Sequence, residues 1–251
     1  MEAVESAFGT SFVGRAAEVA EISSALEQRS LVTILGEGGI GKTRLASEVA
    51  RTVPADLGPV FWVDLGSAGD AAGVQASFED ALRPTARNPS FEELVQERVP
   101  PGRALLVLDN CEHVLDDIAS RINSITQLRP EARLLATSRT RLAVGGELVC
   151  PLRPLATPTP DATPSEAGES AAVALLVDRM RDSVPGFDLG RANSAEVAAI
   201  ARRTEGVPLA IELVAAAAGV VPLSEIADGV ADLRELGVTD SRREPRRHRS
   251  L

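Results

Sequence analysis

Two hydrophobic patterns alternate along the first 150 residues of the chain. Short, continuous apolar runs are typical of strands that are buried on both faces. Such runs occur at residues 31–35, 60–65, 104–108, 133–138 and 147–150. Between them, apolar residues recur at helical spacing, as Val19, Ile22 and Leu26 do. Strands that alternate with helices predict an α/β fold with a parallel sheet.

The pattern changes after residue 150. The run ATPTPDATPSEAG is rich in proline and threonine, which is typical of a linker, and only helical patterns follow it. Asn193 and Glu196 have the spacing of a capping box at the start of one of these helices. The predicted segments are an α/β domain over residues 1–155, a linker over 156–168, a small helical bundle over 169–237 and an arginine-rich tail over 238–251.

A glycine-rich loop directly follows the first predicted strand. It consists of Gly36, Glu37, Gly38, Gly39, Ile40, Gly41, Lys42 and Thr43, with Arg44 in the helix after it. Glycines allow backbone N–H groups to surround an anion, and the following helix directs its positive end at the same place. Lys42 can supply a charge for the outer phosphates of a nucleotide, and the Thr43 hydroxyl can bind Mg²⁺. Strand, loop and helix occur in the order that a phosphate-binding loop requires.

Lysine usage points to the kind of nucleotide. Lys42 is the only lysine among 26 basic residues, so a chain that otherwise uses arginine has kept an ammonium group at this position. The N-K-x-D motif that recognises guanine requires another lysine, which this sequence does not contain. We therefore expect an adenine nucleotide, ATP or ADP, bound together with Mg²⁺.

An aspartate follows the third apolar run. Asp109 has the Walker B position, from which a carboxylate holds Mg²⁺ through its water shell. Asn110 comes next, where many ATPases have a second acid, and a carboxamide cannot take a proton from an attacking water. Glu112 is the nearest candidate for a catalytic base. The alternative is that Glu112 caps the helix that follows.

An arginine follows the fourth predicted strand. Ligands bind at the carboxyl edge of open parallel sheets, so Arg139 is well placed to sense a γ-phosphate. Arg141 is the competing candidate. We expect it to be a solvated loop residue.

Composition narrows the location and the partners. No apolar run reaches the ~18 residues of a membrane span, and residues 1–10 lack the pattern of a signal peptide. We therefore expect a cytoplasmic protein without membrane contact. The net charge is −10 although residues 241–251 contain five arginines. Residues 1–240 are therefore strongly acidic, which argues against direct nucleic-acid binding by this protein.

A short segment precedes the first amphipathic helix. It consists of Phe12, Val13, Gly14 and Arg15, just upstream of the glycine-rich loop. An extended segment in this place can lie over the base of a nucleotide and offer backbone groups to the edge of the base.

Five motifs together resemble a known family. FVGRAAE, GEGGIGKTRLA, LLVLDNCEH, ATSR and EGVPLAIEL are similar, in this order, to the STAND class of P-loop NTPases, the NB-ARC-like modules of apoptotic and plant-immunity switches. They most resemble the nucleotide-binding module of actinobacterial AfsR-like and LuxR-type multidomain transcriptional regulators. The resemblance covers about residues 8–251. It implies a five-stranded sheet in the order 5-1-4-3-2, followed by a helical ARC-like subdomain.

The resemblance also implies roles for particular residues. Phe12, Val13 and Arg15 would line the adenine and ribose side of the nucleotide, and Arg139 would be the sensor. Pro208, with Leu209 after it, would pack on the adenine. Regulators of this kind continue into a winged-helix domain and carry a DNA-binding domain. Because the arginine-rich tail resembles only the lead-in to the winged helix, we expect a truncated product, a fragment or a minimal form.

Three functions remain open from the sequence. The first is an ATP/ADP-binding switch module of a signalling or transcriptional regulator, with slow or absent hydrolysis and nucleotide-dependent self-association. The second is an active ATPase of the AAA+ kind, which needs oligomerisation and an arginine from a neighbouring subunit. The third is a nucleic-acid-binding protein, for which the arginine-rich tail is the only support.

Overall fold

The computed structural model describes residues 10–54, 57–85, 87–190 and 192–233. The chain divides into two compact units, Met1–Arg153 and Pro154–Leu251. The predicted tail over residues 238–251 and the last four residues of the predicted bundle lie outside the described residues. In the part of the chain that is described, no helix combines the length and the apolar character needed to cross a membrane.

The first unit alternates strands and helices, as its apolar pattern predicts. Its strands are β1 (Leu31–Leu35), β2 (Val60–Asp64), β3 (Leu105–Asp109), β4 (Arg133–Ser138) and β5 (Glu147–Pro151). Its helices are α1 (Ala16–Gln28), α2 (Lys42–Thr52), α3 (Ala71–Leu82), α4 (Phe91–Arg98) and α5 (Leu115–Leu128). A single-turn 3₁₀ helix, Cys111–His113, connects β3 to α5.

The strands form one parallel sheet within the described residues. Their spatial order is β2-β3-β4-β1-β5, which confirms the predicted order 5-1-4-3-2. In the register of the sheet, Leu35 at the end of β1 lies opposite Ser138 at the end of β4. The segments that follow β1, β3 and β4 therefore meet at one edge of the sheet, where α/β proteins bind their ligands.

Both faces of the sheet are covered. Successive residues of a strand point to opposite faces, so Leu106 and Leu108 pack into one apolar cluster, while Leu105 and Val107 pack into another. The first cluster also contains side chains of α3, α4 and α5, and the second contains side chains of α1 and α2. Burial on both faces explains why the inner strands β1, β3 and β4 are largely apolar and why their pattern could be recognised in the sequence.

The second unit is helical in its described part. Its helices are α6 (Pro164–Glu169), α7 (Ala171–Ser183), α8 (Ser194–Arg203), α9 (Pro208–Ala217) and α10 (Leu223–Leu233). Leu176, Ile200 and Ile211 are fully buried and come from three different helices. These helices bury their apolar faces against one another, which is the packing expected of a helical bundle.

The linker predicted over residues 156–168 is wrong in part, because its last residues begin α6. The Thr163 hydroxyl accepts a hydrogen bond from the Glu166 N–H (3.4 Å), and the Glu166 carboxylate accepts one from the Thr163 N–H (2.8 Å). This reciprocal pair is a capping box, with Pro164 in the first turn of the helix. The proline and threonine of this stretch therefore start a helix.

The capping box predicted at Asn193 is not formed. The Asn193 side chain accepts a hydrogen bond from the Gly190 N–H (2.9 Å) and donates one to the Asp188 carbonyl (2.9 Å). Both partners lie before the helix, so the amide stabilises the preceding turn and makes no cap of α8.

Candidate functional site

The glycine-rich loop joins β1 to α2 at the carboxyl edge of the sheet. Gly39 and Gly41 have φ angles of 74° and 94°, in the left-handed region that favours glycine. The Gly36 N–H donates a hydrogen bond to the Ser138 carbonyl at the end of β4 (3.1 Å), which fixes the start of the loop. Because Gly41 is the N-cap of α2, the first N–H groups of this helix, which lack partners within it, lie at the end of the loop. This backbone can bind an anion.

Arg15 holds the middle of the loop. Its buried guanidinium donates hydrogen bonds to the carbonyl of Ile40 in the loop (3.1 Å) and to that of Arg153 after β5 (2.9 Å), and it pairs with Glu18. Burial lowers the pKa of Arg15, and the charge of Glu18 opposes this shift. Arg15 therefore connects the loop to the segment that follows β5. Its predicted place beside adenine and ribose stays a prediction.

Lys42 lies buried in the first turn of α2, with 7% of its surface exposed. Its Nζ donates hydrogen bonds to the carbonyls of Gly36 (2.9 Å) and Glu37 (3.1 Å). Burial lowers the pKa of Lys42, and Glu112 is the strongest of the charges that raise it. The ammonium group thus lies over the loop, where phosphate oxygens can take the place of the two carbonyls.

Thr43 and Asp109 form the second part of the site. The Thr43 hydroxyl donates a hydrogen bond to Oδ1 of Asp109 (2.9 Å), and the Thr137 hydroxyl donates another to the same oxygen (2.5 Å). Burial raises the pKa of Asp109, and these two hydrogen bonds oppose the rise. The described residues contain no group of three or more His, Cys, Asp or Glu that could enclose a metal. One hydroxyl and one carboxylate fit Mg²⁺, which binds few protein groups and keeps water and phosphate as its other ligands.

Glu112 and Arg139 form an ion pair beside the loop. Nε of Arg139 lies 3.1 Å from Oε1 of Glu112, and the two side chains are 39% and 9% exposed. A Cβ on Gly38 would lie 3.1 Å from Nη2 of Arg139, so the guanidinium lies against the loop. The alternative role of Glu112 as a cap is not formed, since α5 begins at Leu115 without a side-chain cap. Arg141 is exposed, as expected.

Sequence reasoning missed Asp64 and Thr137. Asp64 ends β2 in register with Asp109, and its Oδ1 accepts a hydrogen bond from Nδ2 of Asn110 (3.3 Å). The same amide also donates to Oδ2 of Asp109 (3.3 Å), and the Thr137 hydroxyl accepts from the N–H of Asn110 (3.0 Å). The sequence did contain a usable signal, because both missed residues are polar groups near the carboxyl ends of the two apolar strands that lie next to β3.

The predicted adenine-side residues of the first unit lie before α1. Phe12 packs against the apolar cluster of α1 and α2, Val13 is half-buried, and Gly14 has a φ of 76°. Arg44 in α2 donates a hydrogen bond to the Ser11 carbonyl (2.7 Å). The segment before α1 is therefore tied to the helix that follows the glycine-rich loop.

The remaining predicted adenine-side residues belong to the second unit. Pro208 is the first residue of α9, directly after its N-cap Val207. Leu209 follows it, and 41% of its surface is exposed. The roles of Pro208 and Leu209 stay predictions.

Comparison with known proteins identifies a family and two relatives. A family described as "AAA ATPase domain" matches residues 11–182. A Mycobacterium tuberculosis protein with the provisional name of an HTH-type transcriptional regulator is 36% identical over 208 residues, which are 82% of this chain and 22% of that protein. An uncharacterized protein of the same strain is 35% identical over 225 residues, 89% of this chain and 54% of that protein. The chain thus spans from about a fifth to about half of the length of these relatives.

Solved structures share the fold. One is a Signal Transduction ATPase with Numerous Domains (STAND) from Pyrococcus horikoshii with a tetratricopeptide repeat sensor; its TM-score is 0.51 at 21% identity, over 88% of this chain and 32% of that one. Another is a structure of Drosophila ORC bound to DNA, with a TM-score of 0.59 at 14% identity, over 94% and 70%. At such low identities the likeness concerns the fold alone. The family match is the stronger finding, because it covers most of the chain and runs through every strand of the sheet and the glycine-rich loop; the chain belongs to the family of AAA ATPase domains.

Proposed function

We propose that this chain is an adenine-nucleotide-binding switch module of a signalling or transcriptional regulator, which binds ATP or ADP with Mg²⁺ and hydrolyses ATP slowly or not at all. One observation carries the proposal. The Thr43 hydroxyl contacts the Asp109 carboxylate (2.9 Å) directly beside Lys42 and the glycine-rich loop. Groups suited to phosphate and groups suited to Mg²⁺ are therefore in contact at one edge of the sheet.

Each group at this edge has a distinct task. Lys42 binds the β- and γ-phosphates, and the N–H groups of the loop surround their oxygens. Thr43 and Asp109 would hold Mg²⁺, which would supply positive charge to the phosphate oxygens. Arg139 lies against Gly38 of the loop. From there it would reach only the γ-phosphate. Loss of the γ-phosphate then changes the partner of one arginine, which is the differential contact that a switch requires.

Slow hydrolysis is supported by the residues around Asp109. Asn110 follows it in place of a second acid, and its amide nitrogen is shared between Asp64 and Asp109. Glu112 is the candidate base from the sequence, and its carboxylate is paired with Arg139. We expect turnover well below the ~1–100 s⁻¹ of kinases.

The adenine preference and the cellular role rest on the sequence and on the relatives. The only lysine of the chain lies in the loop, so the guanine motif is absent. Phe12, Val13 and Arg15 of the first unit line the adenine and ribose side of the nucleotide in this proposal. A role in transcription is supported by the name of the first relative. We also propose that the protein is cytoplasmic and that it self-associates in a nucleotide-dependent way.

Calorimetry with ADP and GDP, in the presence of Mg²⁺, tests this function. Tight binding of ADP and much weaker binding of GDP are expected. Mass spectrometry of nucleotide released from the purified protein should identify ADP or ATP. Equal affinity for ADP and GDP would remove the adenine assignment.

An active ATPase is the second candidate. The Glu112 carboxylate favours it, because its Oε2 is buried without a hydrogen-bond partner among the described residues and could take a proton from water. A turnover assay decides between the two functions. A rate of several per second, abolished by Glu112→Gln without loss of nucleotide binding, would establish the ATPase.

A further inference from the structure

The Glu112 carboxylate is only half satisfied. Its Oε1 pairs with Arg139, while its Oε2 is buried and has no hydrogen-bond partner in the described part of the chain. A buried carboxylate oxygen that lacks a partner loses the hydration it has in water without compensation. Arg139 is therefore the principal charged partner that compensates this carboxylate. Separating the two side chains costs free energy.

The backbone fixes Glu112, whereas Arg139 has a long side chain that is partly exposed. Asn110 has a left-handed conformation (φ 64°), which turns the chain sharply after β3. Cys111 is fully buried, with its Sγ 3.4 Å from the Leu108 carbonyl, so the 3₁₀ helix that carries Glu112 is anchored in the core. Arg139 extends from the end of β4 on a long side chain that is 39% exposed.

We propose that Glu112 sets the preference between ATP and ADP by competing with the γ-phosphate for Arg139. The guanidinium of Arg139 already lies against Gly38, beside the loop in which a phosphate would bind. A γ-phosphate carries more charge than a carboxylate and presents several oxygens to a guanidinium. Once Arg139 turns to the γ-phosphate, the Glu112 carboxylate, whose Oε2 is already buried without a partner among the described residues, loses its ion-pair partner as well.

The free-energy cost of separating Glu112 from Arg139 lowers the affinity for ATP and leaves the affinity for ADP unchanged. ADP leaves the pair of Glu112 and Arg139 intact, whereas ATP separates it. A ligand shifts a conformational equilibrium only through such a difference in affinity. Glu112 thus keeps the preference for ATP small and allows ADP to compete. This inference rests on the proposed function, because it requires a nucleotide in the loop.

A double-mutant cycle tests the competition. Glu112→Gln keeps the shape of the side chain and removes its charge, so the ratio of ATP affinity to ADP affinity should rise on the order of tenfold, within the range of a charge-assisted hydrogen bond. In the Arg139→Ala background, the same substitution should change this ratio much less. Simple repulsion between Glu112 and the γ-phosphate would raise the ratio equally in both backgrounds. The field of Glu112 on Lys42 acts on both nucleotides and largely cancels in the ratio.

Asp116→Asn is the matched control. Asp116 is an exposed carboxylate in the first turn of α5, and its removal should leave the ratio unchanged. Calorimetry with Mg²⁺ gives both affinities, and thermal unfolding shows that each variant is folded. Three results would overturn the competition, provided that ADP still binds. The ratio of ATP affinity to ADP affinity could stay constant in Glu112→Gln, it could fall, or it could rise equally in both backgrounds. Absence of ADP binding in the wild-type chain instead removes the proposed function, and the competition with it.

Discussion

The two halves of the candidate site are built from different materials. The loop half, residues 36–43, uses backbone N–H groups, glycines in left-handed conformations and one buried lysine. The sensing half uses the side chains of Glu112 and Arg139, which come from the ends of two adjacent strands. Backbone held between a strand and a helix is constrained, whereas a long, partly exposed side chain has more rotamers open to it. The loop half therefore suits affinity, and the sensing half suits discrimination.

The largest effect is expected from the loop half. Lys42→Ala should weaken the binding of ATP and ADP alike by ~1.5–3 kcal/mol, because it removes the charged hydrogen-bond donor that we propose for both nucleotides. Calorimetry measures both losses. Lys42→Arg is the control for charge alone, and it should not restore binding, since a planar guanidinium does not fit the place of the ammonium. A loss of affinity for ATP alone would contradict this assignment, because Lys42 would then act in discrimination between the nucleotides, as Arg139 does.

A smaller effect is expected at the metal side of the loop half. Burial raises the pKa of Asp109 above its ordinary value of 3.8, so protons compete with Mg²⁺ at higher pH than they do at an exposed aspartate. As pH falls through this raised pKa, the carboxylate becomes protonated and the gain in nucleotide affinity from Mg²⁺ should disappear. Asp109→Asn should lower that gain about tenfold at neutral pH, which is 1.4 kcal/mol.

The comparison of wild type and Asp109→Asn isolates this carboxylate. Phosphate groups also titrate in acid, but they do so equally with both proteins. Titrations with and without Mg²⁺ at a series of pH values give the gain for each. The same pH dependence in both proteins would mean that Asp109 does not hold the metal.

The smallest effect on nucleotide affinity is expected at the contact between Gly38 of the loop half and Arg139 of the sensing half. Gly38→Ala places a methyl group 3.1 Å from Nη2 of Arg139 and should push the guanidinium away from the loop. We expect a change of a few-fold, about 0.5–1 kcal/mol, in the ratio of ATP to ADP affinity, with ADP binding largely retained. Gly145→Ala is the control, because a Cβ there meets nothing within 4 Å. The Arg139→Ala background should abolish the effect of Gly38→Ala, and an effect that persists there would show that the loop itself was distorted.

The loop half and the sheet could be predicted from the sequence, because their signals are local. Apolar runs located the strands, and the spacing of glycines, Lys42 and Thr43 located the loop between a strand and a helix. The resemblance to STAND NTPases supplied the strand order. Asp109 and Arg139 were found because each follows an apolar run at the same edge of the sheet.

The pairing in the sensing half could not be predicted in the same way. Glu112 and Arg139 are far apart in the sequence, and their contact depends on the left-handed turn at Asn110 and on the 3₁₀ helix after it. The helical pattern after Leu115 favoured a cap, which is a local interaction, over a partner from another strand. Tertiary contact prevailed over the local preference.

Local signals also conflicted in the second unit. The prolines and threonines of residues 156–168 favoured a linker, although Thr163 and Glu166 have the spacing of a capping box. Asn193 and Glu196 have a similar spacing, but the Asn193 amide binds the turn before the helix. A side chain that can satisfy either the turn or the helix does not reveal its choice in the sequence.

The ratio of ATP affinity to ADP affinity in wild type, Lys42→Ala and Arg139→Ala, each with Mg²⁺, tests the central claim most directly. In the proposed site the loop binds both nucleotides and Arg139 reaches only the γ-phosphate, so Lys42→Ala should lower both affinities with little change in the ratio. Arg139→Ala should lower ATP affinity and spare ADP, which reduces the ratio. An equal loss of ATP and ADP in Arg139→Ala would contradict the account, because Arg139 would then support the loop and sense nothing.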